Sequence, residues 1–186
     1  MRHLILIRHS LPAIDASTPA AEWHLSPEGA KRARQIARRL SSSATTIFTS
    51  REPKAVETAA AIADVWAVDV QEVDGLHEHQ RPDAQLLTRD EFERKMRAVF
   101  TRPGELVFGV ETADAALRRF SLALMRLVDR TADDVAIVTH GTVMALFVSA
   151  ATGTEAFSFW KSQRMPCAAT LAIPELKMVR MTFVDE

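Results

Sequence analysis

Apolar residues in this chain fall into short unbroken runs and longer helical stripes, and the two patterns alternate. Leu4 to Ile7 is a run of four apolar residues, too short for a helix and suited to a strand covered on both faces. Val135 to Val138 repeats that arrangement ahead of polar Thr139 and His140. Thr45 to Phe48 reads as another strand. Val68 to Val73 alternates apolar and polar, which predicts a strand with one face exposed, and Ala168–Ile173 and Met178–Phe183, divided by Pro174, predict a closing pair. Between these runs the spacing changes to that of helices. Ser26 followed by Pro27 is a helix start, because serine can accept backbone amides and proline sits where no amide partner is lost. Ala30, Ala33, Ile36, Ala37 and Leu40 then form one stripe, with Lys31, Arg32, Arg34, Arg38 and Arg39 on the opposite, solvated face. Alanine-rich Lys54 to Val65 predicts a second helix. Leu117, Phe120, Leu124, Leu127 and Val128 mark a long one from Thr112 to Arg130. Strands alternating with helices predict the α/β class, as a three-layer α/β/α sandwich around a mostly parallel central sheet.

Two of the strand runs end in a histidine. Ligand sites of open α/β sheets lie beyond the carboxyl ends of parallel strands, so if these two strands are neighbours, His9 and His140 meet there, with Arg8 beside them. A neutral imidazole, with an unperturbed pKa of ~6.5, is a competent nucleophile toward phosphorus at physiological pH.

The ordered motifs resemble those of the histidine phosphatase superfamily, with its phosphoglycerate-mutase-like fold. Arg8-His9 followed by small Ser10 is similar to the family signature at the end of the first strand. Trp23-His24-Leu25-Ser26-Pro27-Glu28-Gly29, followed by Ala30 and Ala33, resembles the segment leading into its first helix. Thr49-Ser50 with Lys54-Ala55 and Thr58-Ala59 resembles its serine-rich turn and following helix. Leu76-x-Glu78 is similar to its acidic motif, and Ile137-Val138-Thr139-His140-Gly141 to its second histidine motif. The pieces stand in the family's order along nearly the whole chain. The resemblance implies His9 as the nucleophile that accepts the phosphoryl group, Arg8 and His140 as members of the cage around its oxygens, and Glu78 as the general acid for the departing alcohol. A carboxyl group can supply that proton only if apolar surroundings or nearby anions raise its pKa. The implied pathway has two steps, transfer to His9 and then attack of water on the phosphohistidine, with no metal.

Three positions depart from the family pattern. Lys54 stands where a second phosphate-binding arginine is usual, and lysine gives charge without a planar fork; Arg51, on the same turn, is a candidate to reach in instead. Ser10 replaces glycine, and its amide and hydroxyl can both donate to phosphate. Asp15 occupies the place of a phosphate-contacting asparagine; a carboxylate there repels a phosphate dianion, so it either faces outward or meets a cationic part of the substrate.

Composition adds bounds. The chain has 186 residues, 47% of them hydrophobic, enough for one domain with a sizeable core. Its formal net charge of −1 gives no field that favours nucleic acid or an anionic membrane. A single cysteine, Cys167, excludes an internal disulfide framework, and no run approaches the ~20 apolar residues that span a bilayer. A cytoplasmic location is the expectation. His77 and His79, spaced by two, could share a face and bind zinc, but no cysteine lies nearby and spacing shows no third ligand, so no metal or other cofactor is expected. Residues 77–104, with Arg81, Arg89, Arg94, Lys95, Arg97 and Arg102, are expected to cover the site; this segment is shorter than the insertions typical of phosphoglycerate mutases. A phosphatase acting on a phosphorylated small molecule or a phosphohistidine protein is therefore the first reading, a mutase-type phosphotransferase the second, and a phosphate-binding module without turnover the third.

Overall fold

Leu4 to Ile7 become the centre of a strand, β1 (Arg2–Arg8), and alternation along it accounts for its burial on both sides. The structure is a computed structural model that describes residues 2–81 and 87–184. Leu4 and Leu6 pack into one core layer with Phe120, Leu124 and Val143, while Ile5 and Ile7 pack into a second with Ile36, Ala59 and Ile62. The remaining strands are β2 (Thr46–Thr49), β3 (Asp69–Glu72), β4 (Val135–Thr139), β5 (Cys167–Ile173) and β6 (Lys177–Phe183). They form one six-stranded sheet in the order β3-β2-β4-β1-β5-β6. Pairing from β3 through β1 is parallel; β5 runs antiparallel to both β1 and β6. The sheet is mixed and mostly parallel.

Helices α1 (Pro27–Arg39) and α2 (Pro53–Trp66) supply the second core layer, and α4 (Ala113–Arg130) and α5 (Gly141–Thr152) the first. Helices α3 (Arg89–Thr101) and α6 (Ala156–Ser162) add aromatic side chains beyond them. Ser26 caps α1 as expected: its Oγ accepts from the Gly29 amide at 3.0 Å and donates to the Leu11 carbonyl at 2.9 Å. Gly29 is required by close approach, since a Cβ there would lie 2.2 Å from the Leu11 carbonyl oxygen. Arg32 on the basic face pairs with Glu28, and Arg34 with Asp64, which fits a solvated helix surface.

Four elements differ from the pattern-based expectation, α3 and α6 among them, since neither was read as a helix. β3 has all four residues exposed rather than one buried face, because it is the outermost strand of the sheet. α5 was not foreseen: Val143, Met144, Ala145, Leu146, Phe147 and Val148 are buried in succession, so no amphipathic stripe exists to be read. Of the segment expected to cover the site, residues 82–86 lie outside the described residues, and most of the rest forms α3.

Register sets the site. Leu4 pairs with Val135 and Arg8 with Thr139, so His9 and His140 follow at the same level of two neighbouring strands. The His9 amide continues the ladder to the Thr139 carbonyl at 2.8 Å, and the Ser50 amide does the same from β2 to the Val138 carbonyl at 3.1 Å. Three adjacent carboxyl ends thus deliver His9, Ser50 and His140 to one edge.

Candidate active site

His9 and His140 meet with ring centroids 5.2 Å apart and planes inclined at 60°. The His9 Nδ1 lies 2.8 Å from the Ser10 carbonyl oxygen. A carbonyl only accepts, so Nδ1 carries the proton and Nε2 the lone pair. Burial, then His140, Arg8 and Lys54, press the His9 pKa well below its ordinary value, which keeps the ring neutral. His140 is fully buried, with Nε2 2.8 Å from Ser50 Oγ and 3.3 Å from Glu52 Oε1. Burial lowers its pKa against the opposing pull of Glu52 and Glu78.

Arg8 is held by the Gln163 carbonyl, 3.2 Å from Nη1, and Gln163 is held by donating Nε2–H to the Gly141 carbonyl at 3.0 Å. Gly141 lies against that guanidinium: a Cβ added there would be 3.1 Å from Arg8 Cζ. Among the described residues, the buried side-chain atoms without a hydrogen-bond partner are Arg8 Nε, Ser10 Oγ, His140 Nδ1, Thr142 Oγ1, Gln163 Oε1 and Thr170 Oγ1. All but Thr170 belong to residues at this sheet edge or in contact with it. Such unpaired groups are costly in a core, and their gathering in one place marks a site kept polar for a purpose.

Glu78 reaches the same place from the loop after β3. Its Oε1 accepts from the amides of His79 at 2.9 Å and Val143 at 3.2 Å; its Oε2 accepts from the Thr142 amide at 3.1 Å and Arg81 Nη2 at 3.2 Å. Thr142 and Val143 are in the first turn of α5, whose N-cap residue His140 makes no side-chain cap, so Glu78 takes over the capping of these amides. Burial works to raise the Glu78 pKa, but Arg81, His140 and the amides of Thr142 and His79 overcome it and hold the group far below the usual carboxylate range. The loop itself is fastened by Arg119, whose Nη1 donates to the carbonyls of Gly75 and His77 at 2.9 Å each and whose Nη2 meets Glu111 Oε1 at 2.7 Å. Thr139 adds a hydroxyl bond to the Leu76 carbonyl at 2.8 Å.

The sequence model of the Histidine phosphatase superfamily (branch 1) matches residues 4–181. The chain belongs to that superfamily. Its fold is that of phosphoglycerate-mutase-like histidine phosphatases. A phosphoserine phosphatase from Entamoeba histolytica, crystallised with 3-phosphoglyceric acid, superposes with a TM-score of 0.77 at 18% identity, over 100% of this chain and 98% of the other. The alpha-ribazole phosphatase of Shigella flexneri gives 0.69 at 18% identity, over 98% and 94%. A mycobacterial glucosyl-3-phosphoglycerate phosphatase gives 0.69 at 16% identity, over 98% and 97%. No curated protein sequence matches.

The residues singled out from the sequence do not all gather. Arg8, His9, Ser10, His140 and Glu78 do. Lys54 arrives, but its Nζ is bound to Glu52 Oε2 at 2.5 Å and to the Ala20 carbonyl at 2.7 Å, so its charge is largely matched before any substrate arrives. Arg51 turns outward to Asp74 at 3.1 Å, with its side chain 63% exposed. Asp15 is exposed and accepts from the Ser17 amide and hydroxyl at 2.8 and 2.6 Å. Ser10 gives its amide to Thr58 Oγ1 at 3.0 Å, which leaves its hydroxyl. The rise in Glu78 pKa expected of a resting acid is reversed, because the helix amides and Arg81 outweigh burial. His77 and His79 do not share a metal-binding face: His79 directs Nε2 to the Glu111 carbonyl at 2.9 Å, and His77 Nε2 lies 3.4 Å from Gln80 Nε2. Among the described residues, no three His, Cys, Asp or Glu side chains are grouped to hold a metal ion.

Glu52, Ser50, Thr142, Gln163 and Arg119 are at or behind the site without having been picked out. Only Ser50 had a signal, its place in the Thr-Ser turn. The others depend on contacts between segments far apart in sequence.

Proposed function

We propose that this chain is a phosphatase that hydrolyses phosphate monoesters through a phosphohistidine on His9. The observation that supports the reading is the Nδ1–H bond of His9 to the Ser10 carbonyl, which leaves Nε2 with the lone pair a nucleophile needs, on a ring beside His140. In the first step Nε2 forms a bond to phosphorus and the ester P–O bond breaks. Negative charge spread over the three outer oxygens is met by Arg8, by the Ser10 hydroxyl and by His140, with Glu52 behind its Nε2 stabilising any proton the ring gains. The leaving oxygen takes a proton from Glu78. Glu78 is a carboxylate at rest; it takes up this proton from solvent as the phosphate dianion binds, because the nearby negative charge raises its proton affinity, and a proton returns to solvent when the product leaves. In the second step Glu78, again a carboxylate, accepts a proton from the attacking water; the water oxygen bonds to phosphorus, the Nε2–P bond breaks and inorganic phosphate leaves. Positive charge at the phosphoryl group comes from Arg8, and the pathway routes no step through a metal. Small phosphorylated substrates suit the reading, since the similar structures include phosphatases named for phosphoserine and glucosyl-3-phosphoglycerate.

The test is hydrolysis of an aryl phosphate by purified protein in excess chelator, with His9→Ala beside it. Activity survives chelation and falls by at least about a thousandfold in the variant, as removal of a covalent nucleophile requires. Activity that is abolished by chelator, or retained in His9→Ala, overturns the proposal.

A further inference from the structure

Glu78 is oriented by three backbone amides, those of His79, Thr142 and Val143, and needs no side chain to hold it. Arg81 is nevertheless there. Its Nη2 lies 3.2 Å from Glu78 Oε2, and its Nη1 donates to the His79 carbonyl at 3.1 Å and faces His79 Nδ1 at 3.4 Å. Its guanidinium carbon is 5.4 Å from the centre of the Phe92 ring. Since the His79 Nε2 proton goes to the Glu111 carbonyl, Nδ1 is the accepting nitrogen and completes a preformed seat for this cation.

Position within the site separates Arg81 from the phosphoryl cage. The side chains of Arg81 and Glu78 are 12% and 19% exposed, whereas His140 is fully buried. Glu78 and Arg81 therefore stand nearer the opening than His9 and His140, which are buried beneath. Four neighbouring cations of the cover are turned elsewhere: Arg89 to Glu93, Arg102 to Glu105, Lys95 onto Phe108 and Arg97 onto Phe157. With phosphorus at His9 Nε2 and the leaving oxygen facing Glu78, the first atoms of the leaving alcohol pass beside Arg81.

We propose that Arg81 is a specificity-determining residue that pairs with a second anionic group carried close to the ester oxygen on the leaving alcohol. This rests on the phosphatase reading above. A guanidinium presents two parallel donors to a carboxylate or phosphate, a match that a neutral alcohol does not offer. Pairing with substrate also draws Arg81 from Glu78 Oε2. The carboxyl loses its cation when a proton is needed at the leaving oxygen, so recognition of the correct alcohol and readiness of the acid are coupled.

Calorimetric titration of the purified protein with 3-phosphonopropionate and with propylphosphonate tests this without turnover, because the two probes differ only in a terminal carboxylate. Wild type binds the carboxylate probe about tenfold more tightly, the scale of one charge-assisted hydrogen bond. Arg81→Met narrows the difference to about twofold, and Arg81→Lys restores part of it. Equal binding of both probes by wild type, or an Arg81→Met variant that keeps the tenfold preference or weakens both probes alike, overturns the role of Arg81 and leaves the phosphatase reading standing. Binding of neither probe by wild type removes both.

Discussion

At the scale of single residues, the site works by fixing protonation states before substrate arrives. The Ser10 carbonyl selects the His9 tautomer, and burial keeps the ring neutral well below the ordinary histidine range. Loss of activity on the acid side through protonation of His9 is thus displaced downward: with an aryl phosphate, whose phenolate leaves without much help, kcat/KM holds as pH falls through ~6.5 and declines only at distinctly lower pH. A decline centred at 6.5 or above in a pH–rate series shows that His9 titrates as an ordinary histidine. The sequence displayed Arg8, His9 and His140 because each follows a recognisable strand run. It concealed Glu52 and the pinned state of Glu78, since a carboxylate's environment is built by residues far along the chain, here the first amides of α5 and Arg81. Lys54 shows the same limit. Its position was legible, but not the Glu52 partner that matches its charge.

At the scale of elements, three parallel strand ends and one helix N-terminus assemble the site. β1 and β4 were visible from their apolar runs, as were α1 with its serine cap and α4 with its stripe. α5 was not, because it is buried all round, and its first turn is the element that holds Glu78. The turn from β4 into α5 is tight: Gly141 leaves room for the Arg8 side chain, which the Gln163 carbonyl keeps in place. A methyl group 3.1 Å from Arg8 Cζ displaces the guanidinium by a few tenths of an ångström. Gly141→Ala therefore lowers kcat/KM by about tenfold or more, with thermal stability near wild type, since misplacement of a charged donor is costly at the transition state. Wild-type kinetics in that variant would show that Arg8 has freedom the fold does not suggest.

Across the whole molecule, burying the site ties stability to pH. His9, His77, His79 and His140 all have pKa values below the ordinary one, with burial the leading cause in each. The unfolded chain binds protons at these positions that the folded chain excludes. Their contribution is complete above the unfolded value of ~6.5 and is lost as pH falls from there toward the folded values. Glu52, Glu78 and Asp134, also lowered, add a second loss beginning below ~4.3. Urea midpoints should accordingly drop between pH 7.5 and 5.5; a flat or rising series contradicts the neutral, buried state of the histidines. The layered α/β plan was readable in advance because both faces of the sheet are apolar, whereas the burial of the exposed edge strand β3 was overestimated.

The central claim is that phosphorus is bonded to His9 Nε2 between two displacements. The stereochemical course at phosphorus tests it most directly, using an aryl phosphate made chiral with three oxygen isotopes. Two successive in-line displacements give net retention in a product trapped by an alcohol acceptor; inversion would mean that the acceptor attacks the substrate directly and that His9 is not the nucleophile.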